Sequence, residues 1–210
     1  MAICKLQREY RKIMHNLPEH SSGFTLMELM VTVSIAGILL GLAIPSFTPI
    51  ISSNRLTTYA NELVTALNFA RSEAIKRGQH VVVRKTEPDW EYGWQVFVDI
   101  DRSTTAKENV LDASDIVLRV YSKLPDSFSL RGNNNFTNFI RYQPDGTSHN
   151  IGSFVLCDNS DGNDLPEKNT SKLLTVNFSG RVHIGIDADK DGIPEKDNGT
   201  EIVSCTLSPF

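Results

Sequence analysis

The chain has 210 residues, of which 40% are hydrophobic and 22% are charged, and its formal net charge is −4. This length allows one globular domain and an anchor, and the acidic balance argues against a general nucleic-acid-binding role. The segment before Phe24 is basic, whereas the remainder is acidic. The sequence contains no phosphate-binding loop, Cys-x-x-Cys or His-Glu-x-x-His motif, which predicts a protein that is not an enzyme.

Residues 24–44 form an apolar segment in which Glu28 is the only charged residue. As a helix this segment would be roughly 30 Å long, which is enough to cross the hydrocarbon core of a membrane. The basic tail before it, and the lack of a positive residue after it until Arg55, predict a cytoplasmic amino terminus and an exported remainder. The alternatives are a cleaved secretory signal peptide, a plain single-pass anchor and a buried helix of a soluble protein.

Glu28 is the residue that distinguishes these interpretations. A carboxylate near bilayer depth costs about 2–3 kcal/mol or more, so it is expected to be paired or functional. If the chain were cut between Gly23 and Phe24, the new α-amino group would be a cation four residues before Glu28, on the same helix face. Glu28 could pair with this amine in its own chain or in a neighbouring subunit, and the second arrangement would make it an assembly device.

The segment GFTLMELMVTVSIAGILLGLAIPSF closely resembles the amino-terminal signature of type IV prepilins and type II secretion pseudopilins. The resemblance implies that residues 1–23 are a basic leader and that a prepilin peptidase cleaves after Gly23. It also implies that Phe24 is N-methylated and that Glu28 docks each subunit against its neighbour. The family pattern has a proline where Pro45 stands.

A second helical pattern follows the apolar segment. Pro45 and Pro49 predict a kink or local unwinding. Beyond them, apolar residues recur at steps of three and four up to Gly78, which predicts one amphipathic face. The residues of this face are Leu56, Tyr59, Ala60, Leu63, Leu67, Ala70 and Ala74. We therefore predict one long, bent helix over residues 24–78, whose second half packs on a head formed by residues 79–210.

The head has the alternating pattern of β-strands. Eight segments show this pattern: His80–Arg84, Gly93–Asp99, Asp115–Tyr121, Asn138–Gln143, Gly152–Asp158, Lys172–Phe178, Gly180–Ile186 and Glu201–Leu207. Turns rich in Gly, Pro, Asn and Asp separate them. A long helix followed by an antiparallel head predicts an α+β fold.

The helical stretch NRLTTYANELVTALNFARSEAIKRGQHVVV, together with GWQVFVD, FVLCD and LTVNFSGRVHI, resembles the GspH/FimT branch of pseudopilins and minor pilins. The resemblance extends from Gly23 to about Ile186 and implies a head of two small β-sheets against the long helix. It implies a minor subunit of a type II secretion or type IV pilus filament, anchored in the bacterial inner membrane with a periplasmic head. The implied partners are other pilin or pseudopilin subunits, the prepilin peptidase and the inner-membrane assembly platform.

Three cysteines occur in the chain, and Cys4 belongs to the leader. Cys157 and Cys205 lie in separate predicted strands of the exported part, where a disulfide is favoured. Such a bridge would tie the last strand to the sheet and add a few kcal/mol of stability. The alternative is a pair of reduced thiols.

The acidic stretch DADKDGIPEKDNGTE places Asp187, Asp189 and Asp191 at alternate positions before Gly192. This spacing matches the opening of a calcium loop, in which oxygen ligands converge around a turn-forming glycine. Asn198 stands at the twelfth position instead of the bidentate Glu. The stretch also resembles the Asp-rich repeats of thrombospondin type 3 modules. Calcium binding is one interpretation, and a solvated acidic loop is the other.

A DNA-binding role is a further alternative. In the FimT-like group, the resemblance implies a Gly-Arg-x-Arg pattern that contacts DNA during natural transformation. Gly180 and Arg181 match this pattern, but His183 stands where the second arginine would be. One arginine with an acidic flank makes a poor phosphate site, so nucleic-acid binding is disfavoured. The rival functions are thus a DNA-uptake receptor and a plain membrane-anchored periplasmic protein.

Overall fold

The structure is a computed structural model that describes residues 23–133 and 135–207. Most of the predicted leader, including Cys4, lies outside the described residues. The chain divides into two compact units, Met1–Phe47 and Thr48–Phe210, and one helix, α1 (Leu26–Arg77, 52 residues), contributes to both. The backbone is helical through Pro45 and Pro49, so the local unwinding predicted there is not observed. Because α1 continues into the second unit, its residues 48–77 belong to the same compact body as the β-strands.

The second unit contains eight strands and one short 3₁₀ helix, Trp90–Tyr92. The strands are β1 (Val81–Lys85), β2 (Trp94–Val98), β3 (Ile116–Tyr121), β4 (Phe128–Gly132), β5 (Phe139–Tyr142), β6 (Gly152–Asp158), β7 (Ser171–Val176) and β8 (Val182–Ile184). They form two four-stranded sheets with the orders β3-β2-β1-β5 and β4-β6-β7-β8. Every pair is antiparallel. The predicted α+β fold with two small sheets is confirmed.

Two strand predictions differ from the structure. The segment Glu201–Leu207 is not a strand, apart from an isolated bridge between Glu195 and Glu201. Within this segment, Ile202 and Cys205 are three residues apart, and both lie in a small buried cluster against the second sheet. Conversely, β4 (Phe128–Gly132) was not predicted, although its residues Phe128 to Arg131 alternate between apolar and polar.

The core of the second unit is built around the predicted face of α1. The buried residues of this face are Leu56, Ala60, Leu63, Ala66, Leu67, Ala70 and Ala74. Tyr59 is half-buried and meets Phe128 edge-on, with ring centroids 5.0 Å apart. The amphipathic pattern of the sequence therefore identified the packed face correctly.

Three aromatic side chains link the loops of one sheet to the strands of the other. Trp90 packs edge-on against Phe154 at 4.9 Å, and Phe136 stacks on Phe154 at 5.3 Å. The indole Nε1–H of Trp90 donates to the carbonyl oxygen of Phe136 at 2.9 Å. All three side chains are buried, and the indole hydrogen bond satisfies the one polar atom that Trp90 brings into the core.

Candidate functional site

The amino terminus of α1 is capped by Thr25. The backbone N–H of Glu28 donates to Thr25 Oγ1 at 3.1 Å, and the N–H of Leu29 donates to the Thr25 carbonyl at 3.1 Å. Thr25 and Glu28 have the Thr-x-x-Glu spacing of a capping box. A carboxylate in the first turn also interacts favourably with the helix dipole. The position of Glu28 thus has a local structural explanation beside the assembly role implied by the resemblance.

Gly23 and Phe24 precede the helix, which begins at Leu26. Both are exposed, and Phe24 keeps 75% of its surface accessible. In the uncut chain Phe24 therefore lies just before the first helical residue. Pairing of Glu28 with the amine of the cut chain, in the same subunit or in a neighbouring one, stays a prediction.

The first part of α1 exposes a long apolar surface. Leu26–Ala43 is long and apolar enough to cross a membrane, judged by length and composition. Its large exposed side chains are Leu26, Met27, Leu29, Met30, Val31, Val33, Ile35, Ile38, Leu39, Leu40 and Leu42. A helix that is apolar on all sides needs lipid or other apolar helices around it. This segment can therefore serve both as an anchor and as a packing surface for other stems.

Two family profiles match the chain. The profile described as "Type II transport protein GspH" matches residues 59–180, which is more than half of the sequence. The chain belongs to the GspH family. The profile described as "Prokaryotic N-terminal methylation motif" matches residues 20–44, which include Gly23, Phe24 and Glu28. The GspH match spans the second half of α1 and the strands up to β7, and the methylation motif spans the apolar stem.

Several pilins are similar to this chain. Two fimbrial proteins of Pseudomonas aeruginosa are each 34% identical over 107 residues, which cover 50% of this chain and 69% of the relative. The pilin-like protein PilA1 of Thermus thermophilus is 39% identical over 79 residues, covering 37% and 47%. The solved type IV minor pilin FimU of P. aeruginosa aligns with 72% of this chain and 96% of its own, at 19% identity and a TM-score of 0.49. The minor pseudopilin EpsH from the type 2 secretion system of Vibrio cholerae aligns with 62% and 95%, at 12% identity and a TM-score of 0.42.

The two cysteines of the GspH-family head form a disulfide. Cys157 on β6 is bonded to Cys205, with their Cα atoms 5.9 Å apart. The disulfide joins β6 to a carboxyl-terminal segment that has no regular structure, where the sequence predicted a last strand. The bridge lies in a small cluster of buried residues made of Val155, Cys157, Leu173, Ile202 and Cys205, with Ile193 packed against it. The carboxyl-terminal segment is thus fastened covalently to the second sheet.

The predicted acidic loop gathers carboxylates from a wider stretch of sequence. Asp187 and Asp189 approach Glu195, and Asp189 and Asp191 approach Glu201, with the oxygens of each trio within 4.8 Å of one another. The mutual repulsion raises the pKa of Glu201, mainly through Asp191. Glu195 and Glu201 lie outside the alternating Asp pattern that identified the loop in the sequence, and only the fold brings them to it.

Hydrogen bonding within this loop bears on the calcium prediction. Asn198 Oδ1 accepts from the backbone N–H and the hydroxyl of Thr200 at 3.1 and 2.7 Å, so it already serves a turn. Asp187 Oδ2 accepts from the N–H of Gly192 at 2.9 Å, whereas Asp187 Oδ1 is buried without a hydrogen-bond partner in the described residues. Carboxylate oxygens suit calcium, so the residues present fit a calcium ion, and its binding here stays a prediction.

Arg181 follows a turn that packs on α1. Gly180 has φ +76°, and a Cβ at this position would lie 2.3 Å from the carbonyl oxygen of Gly146. Arg71 Nε on α1 donates to that same carbonyl at 2.9 Å. Arg181 is exposed, and its backbone N–H donates to Asn177 Oδ1 at 3.0 Å. Gly180 therefore has a structural explanation in the close approach of two turns, independent of any DNA contact.

A polar cluster on the first sheet was not predicted from the sequence. It centres on Asn109, whose φ of 61° is left-handed. The N–H of Asn109 donates to Asp99 Oδ2 at 3.0 Å, and its carbonyl accepts from Arg84 at 2.9 Å. Its side-chain oxygen accepts from Arg141 at 3.0 Å. These bonds fasten the long connection between β2 and β3 onto β1 and β5.

His149 lies beside this cluster and must be neutral to fit. Its Nδ1 accepts the backbone N–H of Arg141 at 3.1 Å, which requires an unprotonated nitrogen. Burial lowers the pKa of His149, and the charge of Arg141 lowers it further. Protonation of His149 therefore opposes folding.

Proposed function

We propose that this GspH-family chain is a minor pseudopilin or minor pilin subunit of a type II secretion or type IV pilus filament. Its apolar stem would lie in the bacterial inner membrane, with the amino terminus cytoplasmic and the head periplasmic. The observation that carries the proposal is the methylation-motif match over residues 20–44, directly before the GspH match over residues 59–180. The disulfide in the head is typical of an oxidising compartment such as the periplasm.

Processing and assembly would be coupled through the new amino terminus. A prepilin peptidase would cut after Gly23, and methylation of Phe24 would leave its amine a cation. The apolar stems would then pack together, and Glu28 would pair with the amine of a neighbouring subunit. An unpaired carboxylate at this depth costs about 2–3 kcal/mol or more, so pairing favours the assembled over the free subunit. The other partners would be the assembly platform and further pilins, and the role is structural rather than catalytic.

The decisive experiment separates the charge of Glu28 from its position near the helix cap. Glu28→Gln keeps the size and removes the charge, whereas Thr25→Ala removes the cap hydroxyl and leaves Glu28 in place. We expect both variants to be cut after Gly23, as shown by the mass of the mature amino terminus. A loss of about 2–3 kcal/mol corresponds to roughly 30- to 150-fold weaker assembly. Incorporation into filaments should therefore fall steeply for Glu28→Gln and stay near wild type for Thr25→Ala.

Two results would contradict the proposal. If Glu28→Gln entered filaments as well as the wild type, the pairing argument would be wrong. If the wild-type chain kept Met1, or were cut beyond Pro45, it would be a plain anchored or secreted protein instead. A gel-shift assay at low and physiological salt tests the DNA-uptake alternative, which requires binding that disappears in Arg181→Ala.

A further inference from the structure

The two sheets have four edge strands, and three of them are protected. At the edge strand β5, the N–H of His149 donates to the Arg141 carbonyl at 2.9 Å, and Tyr142 bridges to Ser148. The edge strand β4 packs against the 3₁₀ helix, where Arg131 pairs with Glu91. The edge strand β8 has only three residues. Covering and shortness are both ways in which proteins prevent an edge from pairing with another chain.

The fourth edge, β3, is neither covered nor short, although its ladder to β2 has a bulge at Leu118, between the pairs Val96–Arg119 and Phe97–Val117. It has six residues, of which Ile116, Val117, Arg119 and Val120 are exposed. Its ladder runs to β2 on one side, and no other backbone hydrogen bond of β3 occurs within the described residues. The outer side of β3 therefore offers backbone donors and acceptors to an incoming strand on either side of this bulge.

The side chains of β3 are suited to a protein partner. Ile116, Val117 and Val120 are 45%, 47% and 62% exposed, and the strand contains no proline or lysine that would repel an added strand. Arg119 lies over the ring of Phe69 on α1, with its Cζ 5.1 Å from the ring centroid. No carboxylate of the described residues forms an ion pair with Arg119. The edge thus combines apolar contacts with one cation that has no acidic partner.

A groove adjoins the end of this edge. Its volume is about 630 Å³, and it lies between α1 and the end of β3. Tyr59 and Glu62 line it from the helix, and Val120 and Lys123 line it from the strand side. A strand added to β3 would extend the sheet beside the helix, where its inward side chains could enter the groove.

We propose that β3 binds, by strand addition, an extended segment of another filament subunit. This segment would carry apolar residues at alternate positions and a carboxylate that pairs with Arg119. The inference rests on the proposed filament function, because it names a partner for that assembly. A second copy of β3 is the wrong occupant, since self-pairing gives a closed two-fold dimer, whereas a filament needs contacts between different surfaces.

Hydrogen exchange tests the backbone pairing without any substitution. The full-length mature protein is measured in detergent micelles and again in assembled filaments. We expect the amides of residues 116–120 that point away from β2 to exchange at least about tenfold more slowly in filaments, because strand addition protects them. The amides of β8, the short edge, should change little. Equally fast exchange of the β3 amides in both states would overturn the proposal.

A matched pair of variants tests the side chains. Val120→Lys places a charge on the exposed edge, and Ile151→Lys places one at a site that is 57% exposed and away from β3. We expect both proteins to melt like the wild type and to have the mature amino terminus. Incorporation into filaments should fall about tenfold for Val120→Lys, which puts a charge into the contact, and stay unchanged for Ile151→Lys. Equal incorporation of the two variants would overturn the proposal.

A peptide experiment keeps this test independent of the proposed function. If the wild type were neither cut nor incorporated, the filament function would fail, and the edge would be probed with a synthetic peptide of roughly eight residues. The peptide alternates Val and Thr and carries one Glu, and its control is N-methylated at alternate residues. Binding by the unmethylated peptide alone, lost in Val120→Lys, supports strand addition. No binding, equal binding of both peptides, or a homodimer that disappears in Val120→Lys overturns it.

Discussion

Removal of the Cys157–Cys205 disulfide should destabilise the head, and the length of the loop that the disulfide closes determines by how much. The two cysteines are separated by 48 residues. In the chain-entropy treatment, opening a loop of this length costs about 4 kcal/mol at 25 °C. For the double variant Cys157→Ala and Cys205→Ala, we therefore expect the free energy of unfolding to fall by about 3–4 kcal/mol.

The loss should begin in the carboxyl-terminal segment. Without the bridge, this segment is held mainly by the buried side chain of Ile202 and by the N–H of Cys205, which donates to the Asp164 carbonyl at 3.0 Å. Its release would expose Val155 and Leu173 on the second sheet. Hydrogen exchange should accordingly rise first around residues 155–173 and much less in β1 and β2.

The assay is urea unfolding of the full-length chain in detergent, followed by tryptophan fluorescence. The chain has two tryptophans, Trp90 and Trp94, and both are buried in the head. Their signal therefore reports on the head and not on the stem. Wild-type protein with the bridge reduced is the matched control, because it opens the loop without truncating a side chain. A loss below about 1 kcal/mol in both samples, or free thiols at Cys157 and Cys205 in the oxidised wild type, would refute this reasoning.

Three further predictions concern the head. Gly180→Ala should destabilise it by about 2 kcal/mol or more, because alanine disfavours a positive φ and its Cβ would meet the Gly146 carbonyl; an unchanged urea midpoint would contradict this. Stability should fall as the pH drops below the ordinary His pKa of 6.5, since His149 binds a proton in the unfolded chain that the folded head resists. A His149→Asn variant should have a shallower pH dependence between about pH 7 and 5, and the same slope as the wild type would exclude this residue. Calcium at roughly millimolar concentration should release heat in calorimetry and raise the Tm, both effects being lost in Asp189→Asn; no heat would remove the calcium prediction.

The features that the sequence predicted well depend on local patterns. The helical face of Leu56 to Ala74 follows from its spacing of three and four, and seven of the strands follow from short runs rich in β-branched and aromatic residues between turns. The segment Glu201–Leu207 was predicted as a strand from a similar pattern. In the structure it packs against the second sheet, which already has four strands, and the disulfide at Cys205 holds it there. Contacts between distant parts of the chain bring Glu195 and Glu201 to the acidic loop. Such contacts also place Asn109 between Asp99, Arg84 and Arg141. No pattern in the neighbouring residues indicates such contacts.

The cap formed by Thr25 has a consequence for proteolysis. By accepting the N–H of Glu28, Thr25 ends the helix so that the peptide bond between Gly23 and Phe24 lies in exposed, non-helical backbone. Peptide bonds in such backbone are cleaved far more readily than bonds within a helix. A peptidase acting at this bond would reach it without breaking a single turn of α1. Cleavage between Gly23 and Phe24 would therefore remove the leader and leave every residue of α1, which begins at Leu26, in place.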